Sequence, residues 1–113
     1  MNKKKIIRKA FRTAVFERDQ YICRCCGKAG RDRQESGGTG VELDAHHICD
    51  RSLMPNGGYV KENGISVCDE CHARAEVWWE NDYESGPEGF SRDDLYEKIG
   101  SSLEDAQTAS ESL

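Results

Sequence analysis

Cys68-Asp69-Glu70-Cys71-His72, together with Leu43-Asp44-Ala45-His46-His47-Ile48 and with Asn63 between them, is the stretch on which the fold of this chain turns. These segments hold all three histidines of the 113 residues. A second Cys-x-x-Cys pair, Cys23 and Cys26, lies upstream. Each such turn can bring two thiolates to one ion, and tetrahedral zinc takes four. The two pairs therefore predict a structural zinc that ties the first turn to the start of a helix and holds His72 there. Binding of that kind is folding energy rather than catalysis. Cys25 and Cys49 are left over. Cys25 reads as a spare thiol, and Cys49 as a small buried hydrophobe with a ligand role as the alternative.

The composition calls for such a staple. With 36% apolar residues, 33% charged residues and 11 glycines, a chain of this length builds only a modest core. Six cysteines could also mean disulfides. No apolar stretch resembles a signal peptide, however, and Cys-x-x-Cys beside histidine favours metal thiolates in a cytoplasmic setting. No segment approaches membrane-spanning length, so no membrane partner is expected. The net charge of −5 hides a strong asymmetry. Residues 1–18 carry seven basic side chains against one acidic, and residues 76–113 carry two against eleven. Local basic surface, not the average, decides whether a chain can meet nucleic acid.

Residues 3–18 predict a helix, with Ile7, Phe11 and Val15 on one face beside Ala10 and Ala14. Lys4, Lys5, Arg8, Lys9 and Arg12 take the rest of its surface, suited to phosphates or simply to water. The first cysteine turn spans 21–27, and the Gly-rich stretch 29–40 reads as loop. A strand is expected over 41–48, a long loop over 49–63 and a second strand over 65–67. Asp69 is a fitting N-cap for a helix running to about residue 80, with Val77, Trp78 and Trp79 as its late apolar anchors. Residues 85–89 read as linker, 93–99 as a short helix and 101–113 as a frayed tail. There is no internal repeat.

Hydrolysis of a phosphodiester needs an activated water, stabilisation of the phosphorane charge and help for the leaving oxygen. Imidazole serves both metal binding and proton transfer near neutral pH. His46 and His72 could hold a divalent ion while His47 takes the proton from water. Two protein ligands leave positions open for water and phosphate, as a hydrated Mg²⁺ requires. Asn63 cannot exchange protons at this pH, but its amide can fix the loop or orient His47. Other readings stay open on the residues alone. Each histidine could be a satisfied strand residue, a pair with Cys49 could hold a second structural zinc, and Asn63-Gly64 suits a plain turn. Adjacent residues on a regular strand also face opposite sides, so His46 and His47 share a site only if the strand bends or ends there.

At these residues the chain resembles the HNH endonuclease family. That family's pattern is a Cys-x-x-Cys turn, a strand ending in Asp-His or His-His before Ile, an Asn opening the second strand, and Cys-x-x-Cys-His. Cys23, Cys26, His46, His47, Ile48, Asn63, Cys68, Cys71 and His72 match it, and Val15-Phe16-Glu17-Arg18-Asp19 resembles its lead-in. The resemblance covers about residues 10–76. It implies an α+β fold with a ββα-metal core stapled by a zinc on four cysteines. It also implies His46 and His72 as catalytic metal ligands, His47 as general base and Asn63 as positioning residue. The implied catalytic ion is Mg²⁺, with Mn²⁺, Ni²⁺ and Zn²⁺ as other candidates. The implied substrate is DNA, in the first instance double-stranded, cut to leave 5′-phosphate and 3′-hydroxyl ends. The expected organisation is a basic helix (1–18), a nuclease core (19–80) and an acidic extension with a flexible tail (81–113).

Lys4, Lys5, Arg8, Lys9 and Arg12 are the expected DNA contacts, with Arg51, just past His47, as a clamp on the cleaved phosphate. Arg18, Arg24 and Arg74 read by default as solvated charge. No separate base-reading module such as a helix-turn-helix is evident, which points to modest sequence specificity. Two competing expectations remain: a catalytically silent zinc module that binds nucleic acid or protein, and an accessory nuclease needing a protein partner on the acidic segment. Compact Lys-rich chains of this kind resemble stand-alone phage or bacterial enzymes, acting in the bacterial or phage-infected cytoplasm.

Overall fold

The computed structural model describes residues 2–35 and 37–113. Met1 of the expected basic helix segment and Ser36 of the expected Gly-rich loop lie outside the described residues. In chain order the elements are α1 (Lys3–Arg18), β1 (Gly30–Asp32), β2 (Val41–His47), β3 (Gly64–Cys68), α2 (Asp69–Glu80), α3 (Arg92–Lys98) and α4 (Leu103–Glu111). Three short 3₁₀ turns, at Arg51–Leu53, Pro55–Gly58 and Lys61–Asn63, shape the connection from β2 to β3. Among the described residues, the mixed α+β fold is a three-stranded sheet with four helices.

α1 buries Phe11, Val15 and Phe16, while Ile6 stands half exposed. The Asn2 side chain accepts a hydrogen bond from the Lys4 N–H and caps the helix start. At its other end, Arg18 and Asp19 join the helix to the sheet. The Asp19 carboxylate is buried, accepts from the Ser66 N–H at 2.9 Å and pairs with Arg18 at 2.8 Å. Arg18 also donates to the Gly64 carbonyl at 2.6 Å. A buried charge is tolerable only with partners of this kind, so Arg18 is a structural residue and not solvated charge.

β2 and β3 run antiparallel, with Leu43 opposite Cys68, His46 opposite Ile65 and His47 opposite Gly64. β1 pairs in parallel with β2, on the far side of β2 from β3. That strand falls inside the stretch expected to be loop. Gly30 permits it, because a Cβ there would stand 2.3 Å from the Val41 carbonyl oxygen. The stretch is further tied by Arg12 to Asp32 at 2.5 Å, and by Arg33 to Glu42 at 2.6 Å and to Asp44 at 3.2 Å, with Asp69 also on the Arg33 guanidinium.

α2 begins one residue earlier than the cap assignment implied. Cys68 occupies the N-cap and Asp69 is the first helical residue, where its charge favours the helix N-terminus and meets Arg33. Its core face is Cys71 and Ala75, not Val77 and Trp79, which are 37% and 50% exposed. Trp78 is the packed member of that trio, donating its indole N–H to the Pro87 carbonyl at 2.7 Å.

The core is formed by Phe16, Leu43, Ile48, Ile65, Val67 and Leu95 with Cys23, Cys71, Tyr96 and Ala106. Burying a large apolar side chain of this type is worth about 1.5–3 kcal/mol. Three of these residues come from beyond residue 90. α3 carries a Ser91/Asp94 capping box and buries Leu95 and Tyr96. The frayed tail expected over 101–113 is instead largely α4. Ala106 and Ser110, one turn apart, are its buried face. Ser110 accepts from the Gly58 N–H at 3.1 Å, donates to the Pro55 carbonyl, and accepts at its own carbonyl from Asn56 at 3.0 Å. Among the described residues, no helix is long and apolar enough to cross a membrane.

Candidate metal centres and nucleic-acid interface

The cysteine pairs come together as their spacing requires. The Gly27 N–H donates to the Cys23 carbonyl at 2.8 Å, closing a knuckle that needs the positive φ (+82°) of Gly27. The Arg24 N–H donates to the Ser66 carbonyl at 3.0 Å and lays this knuckle against β3. Cys68 ends β3 and Cys71 sits in the first turn of α2. The four sulfurs of Cys23, Cys26, Cys68 and Cys71 lie within 4.8 Å of one another, Cys26 and Cys68 at 3.7 Å. Sulfurs bound at about 2.3 Å to one tetrahedral zinc stand about 3.8 Å apart, so the donor set fits that ion.

The thiols are electrostatically divided. A hydrogen bond from Cys25 draws Cys23 down to about 3, while burial pushes Cys26 and Cys71 up. Cys25 lies outside the four-sulfur set and packs, partly buried, against the core. Cys49 is buried away from it, with Arg92 donating to its sulfur at 3.4 Å. Among the described residues, the four cysteines are the one set of three or more His, Cys, Asp or Glu ligand atoms that converge, so Cys49 completes no second centre of that kind.

His46, on β2, and His72, on α2, face each other with ring centroids 5.1 Å apart and planes at 67°. His72 places Nε2 3.1 Å from Glu76 Oε1 and Nδ1 3.6 Å from Asp44 Oδ2. Burial, reinforced by the charges of His72 and His47, lowers the His46 pKa to about 3. His46 is therefore a neutral imidazole at neutral pH, the form that binds metal. Asp44 is held below the usual carboxylate range, first by its hydrogen bond with His72 and then by Arg33.

His47 points the other way. It stacks on Phe11 at 4.5 Å and meets Tyr59 edge-on at 4.8 Å, so the strand alternation of adjacent residues is kept. Burial, then the charge of Arg51, lowers its pKa to about 4. Its Nε2 is buried and has no hydrogen-bond partner. β2 ends at His47, and this lets both histidines line one cleft of about 220 Å³ with Asp50, Arg51, Glu76 and Trp79. His47 and Arg51 also line a groove of about 690 Å³ walled by Lys5, Arg8, Lys9, Arg12 and Tyr59. Of the expected DNA contacts, Lys4 alone is outside that lining. Arg12 is committed to Asp32, and Arg51 donates to the Tyr59 hydroxyl at 2.8 Å.

Asn63 is fully buried and touches the histidine loop rather than the cleft. Its Oδ1 accepts from the Cys49 N–H at 3.1 Å and the Tyr96 hydroxyl at 2.7 Å. Its Nδ2 donates to the Cys49 carbonyl at 3.1 Å and the Gly58 carbonyl at 3.3 Å, while its own carbonyl accepts from the Ile48 N–H at 2.9 Å. Glu76, Asp44 and Tyr59 are the residues at the site that sequence reading passed over. Glu76 had a signal, standing one helical turn after His72. Tyr59, in an irregular loop, had none.

A strand pair and a helix carry paired imidazoles beside four clustered cysteines that could hold a structural metal. The model of the HNH endonuclease family matches residues 23–76, and over that segment the chain is similar to this family. The family's function is of the nuclease type, with metal binding. No curated protein and no solved structure matches the chain.

Proposed function

We propose that this chain is a metal-dependent endonuclease that hydrolyses DNA, with His47 as general base. The observation that carries this reading is the buried, unpartnered Nε2 of His47, in a side chain that lines both the basic groove and the His46 cleft. A neutral imidazole with a free nitrogen can take a proton from water. Its low pKa keeps it unprotonated, and Phe11 and Tyr59 fix its plane.

Lys5, Arg8 and Lys9 would hold the phosphates of a duplex along α1, and Arg51 would reach the phosphate being cut. Asn63 would act by holding the backbone at Ile48 and Cys49, and so the end of the strand that presents both histidines. His46 and His72, with Glu76 beside them, are the residues that would hold a divalent ion. When bound, such an ion supplies charge for the phosphorane and leaving oxygen. Zinc at the four cysteines would serve folding alone.

The test is cleavage of supercoiled plasmid by the purified zinc-loaded protein, with Mg²⁺, with Mn²⁺ and with neither. Metal-dependent nicking supports the reading. Retained zinc and DNA affinity without cleavage under either metal would favour a binding module, or an enzyme that needs a protein docked on its acidic segment.

A further inference from the structure

Trp79 is the side chain at the cleft that this reading leaves without a task. It is 50% exposed, on a helix whose core face is made by Cys71 and Ala75. Its neighbour Trp78 spends its indole N–H on the Pro87 carbonyl and packs beside Gly86. Trp79 instead opens onto the cleft lined by His46, His47 and Arg51. It continues into an adjoining hollow of about 630 Å³ bordered by Leu53, Tyr83 and Arg92. Leu53 is 58% exposed, so two large apolar groups flank this edge of the site.

A single exposed apolar side chain is ordinary on a protein surface. An indole on the wall of a phosphodiester-cutting cleft has a more specific use. The hollow beyond it carries Asp50, Glu80 and Asp82, which repel phosphate and anionic headgroups but not an uncharged ring. The occupant that suits an apolar face here, while its own backbone phosphate reaches Arg51, is a nucleobase. Aromatic side chains stack on bases of any sequence, and apolar wedges enter opened base steps.

We propose that Trp79 stacks on a nucleobase flanking the phosphate that is cut, so that the preferred substrate is DNA whose base stack is opened at that step. This rests on the nuclease reading. Duplex with a mismatch, a bulge or a flexible step is then bound more tightly than uniformly paired duplex, without any base-specific hydrogen bond.

The experiment uses the full zinc-loaded chain with a short paired duplex and the same duplex carrying a central mismatch. Binding is followed by tryptophan fluorescence without added divalent metal, and cleavage with metal. The mismatched duplex should quench emission, and Trp79→Phe, with Trp78 as its remaining indole, should lose that quench. Trp79→Ala should weaken binding of the mismatched duplex by about five- to hundredfold, with Trp79→Phe recovering most of it. Unchanged affinity in Trp79→Ala, or equal quenching in Trp79→Phe, overturns the proposal while leaving a cutting enzyme intact. A wild-type chain that neither binds nor cuts either duplex overturns the nuclease reading itself, and this proposal with it.

Discussion

Replacing Asn63 by alanine should cost more stability than any surface change in this chain, because the amide is saturated. Asn63 is fully buried and makes four side-chain hydrogen bonds: to both backbone groups of Cys49, to the Gly58 carbonyl and from the Tyr96 hydroxyl. Truncation strands those four partners. Each unsatisfied buried group costs about 1–3 kcal/mol, and water entering the vacated space recovers part of that, so a net loss of about 3–5 kcal/mol is expected. Against a total of about 5–15 kcal/mol for a folded domain, the variant is left marginal. At about 4–8 °C per kcal/mol in a domain near this size, the midpoint should fall by roughly 12 °C or more. Asn63→Asp keeps the volume and the acceptor but loses the donor that faces two carbonyls, so it should fall with it. The assay is urea and thermal unfolding at fixed zinc, read by far-ultraviolet circular dichroism. A loss below about 1 kcal/mol, the worth of one ordinary hydrogen bond, together with abolished cleavage would refute the reasoning. Asn63 would then act on substrate and not on the loop.

Three further outcomes bear on the staple, the groove and the buried amide. Cys68→Ala should release the structural zinc and lower the unfolding midpoint, measured by metal content and calorimetry; a folded, zinc-loaded variant would contradict the staple. Neutralising Lys5, Arg8 and Lys9 together should flatten the slope of log affinity against log salt by about 3, roughly one released counterion for each phosphate no longer neutralised. An unchanged slope would mean that the groove does not meet DNA. Tyr96→Phe should cost about 1 kcal/mol, since Asn63 Oδ1 keeps its bond from Cys49, and equilibrium unfolding would detect it.

What the sequence disclosed divides along physical lines. The cysteine turns and α1 were legible because their geometry is local: each thiol pair shares one tight turn, and Phe11 and Val15 lie one helical turn apart. β1 was not, since Gly30–Asp32 has no strand-forming character of its own and exists by pairing with Val41–Leu43. α4 was missed because its buried face is Ala106 and Ser110, small residues whose packing against Pro55–Gly58 leaves no hydrophobic stripe to read. The same distance effect hid the role of the C-terminal segment, whose Tyr96 reaches Asn63 and whose Ser110 holds Gly58. Trp79 was misjudged in the other direction. An apolar residue late in a helix reads as an anchor, and only the fold reveals it turned toward the His46 cleft.

The central claim is that His47 accepts the proton from water, and the most direct measurement is the single-turnover cleavage rate of His47→Ala beside the wild type. Folding, zinc content and DNA affinity are checked on the same samples. The predicted result is a fall of about 10²–10⁴-fold in rate with those three properties retained. A variant that cuts at the wild-type rate would contradict it.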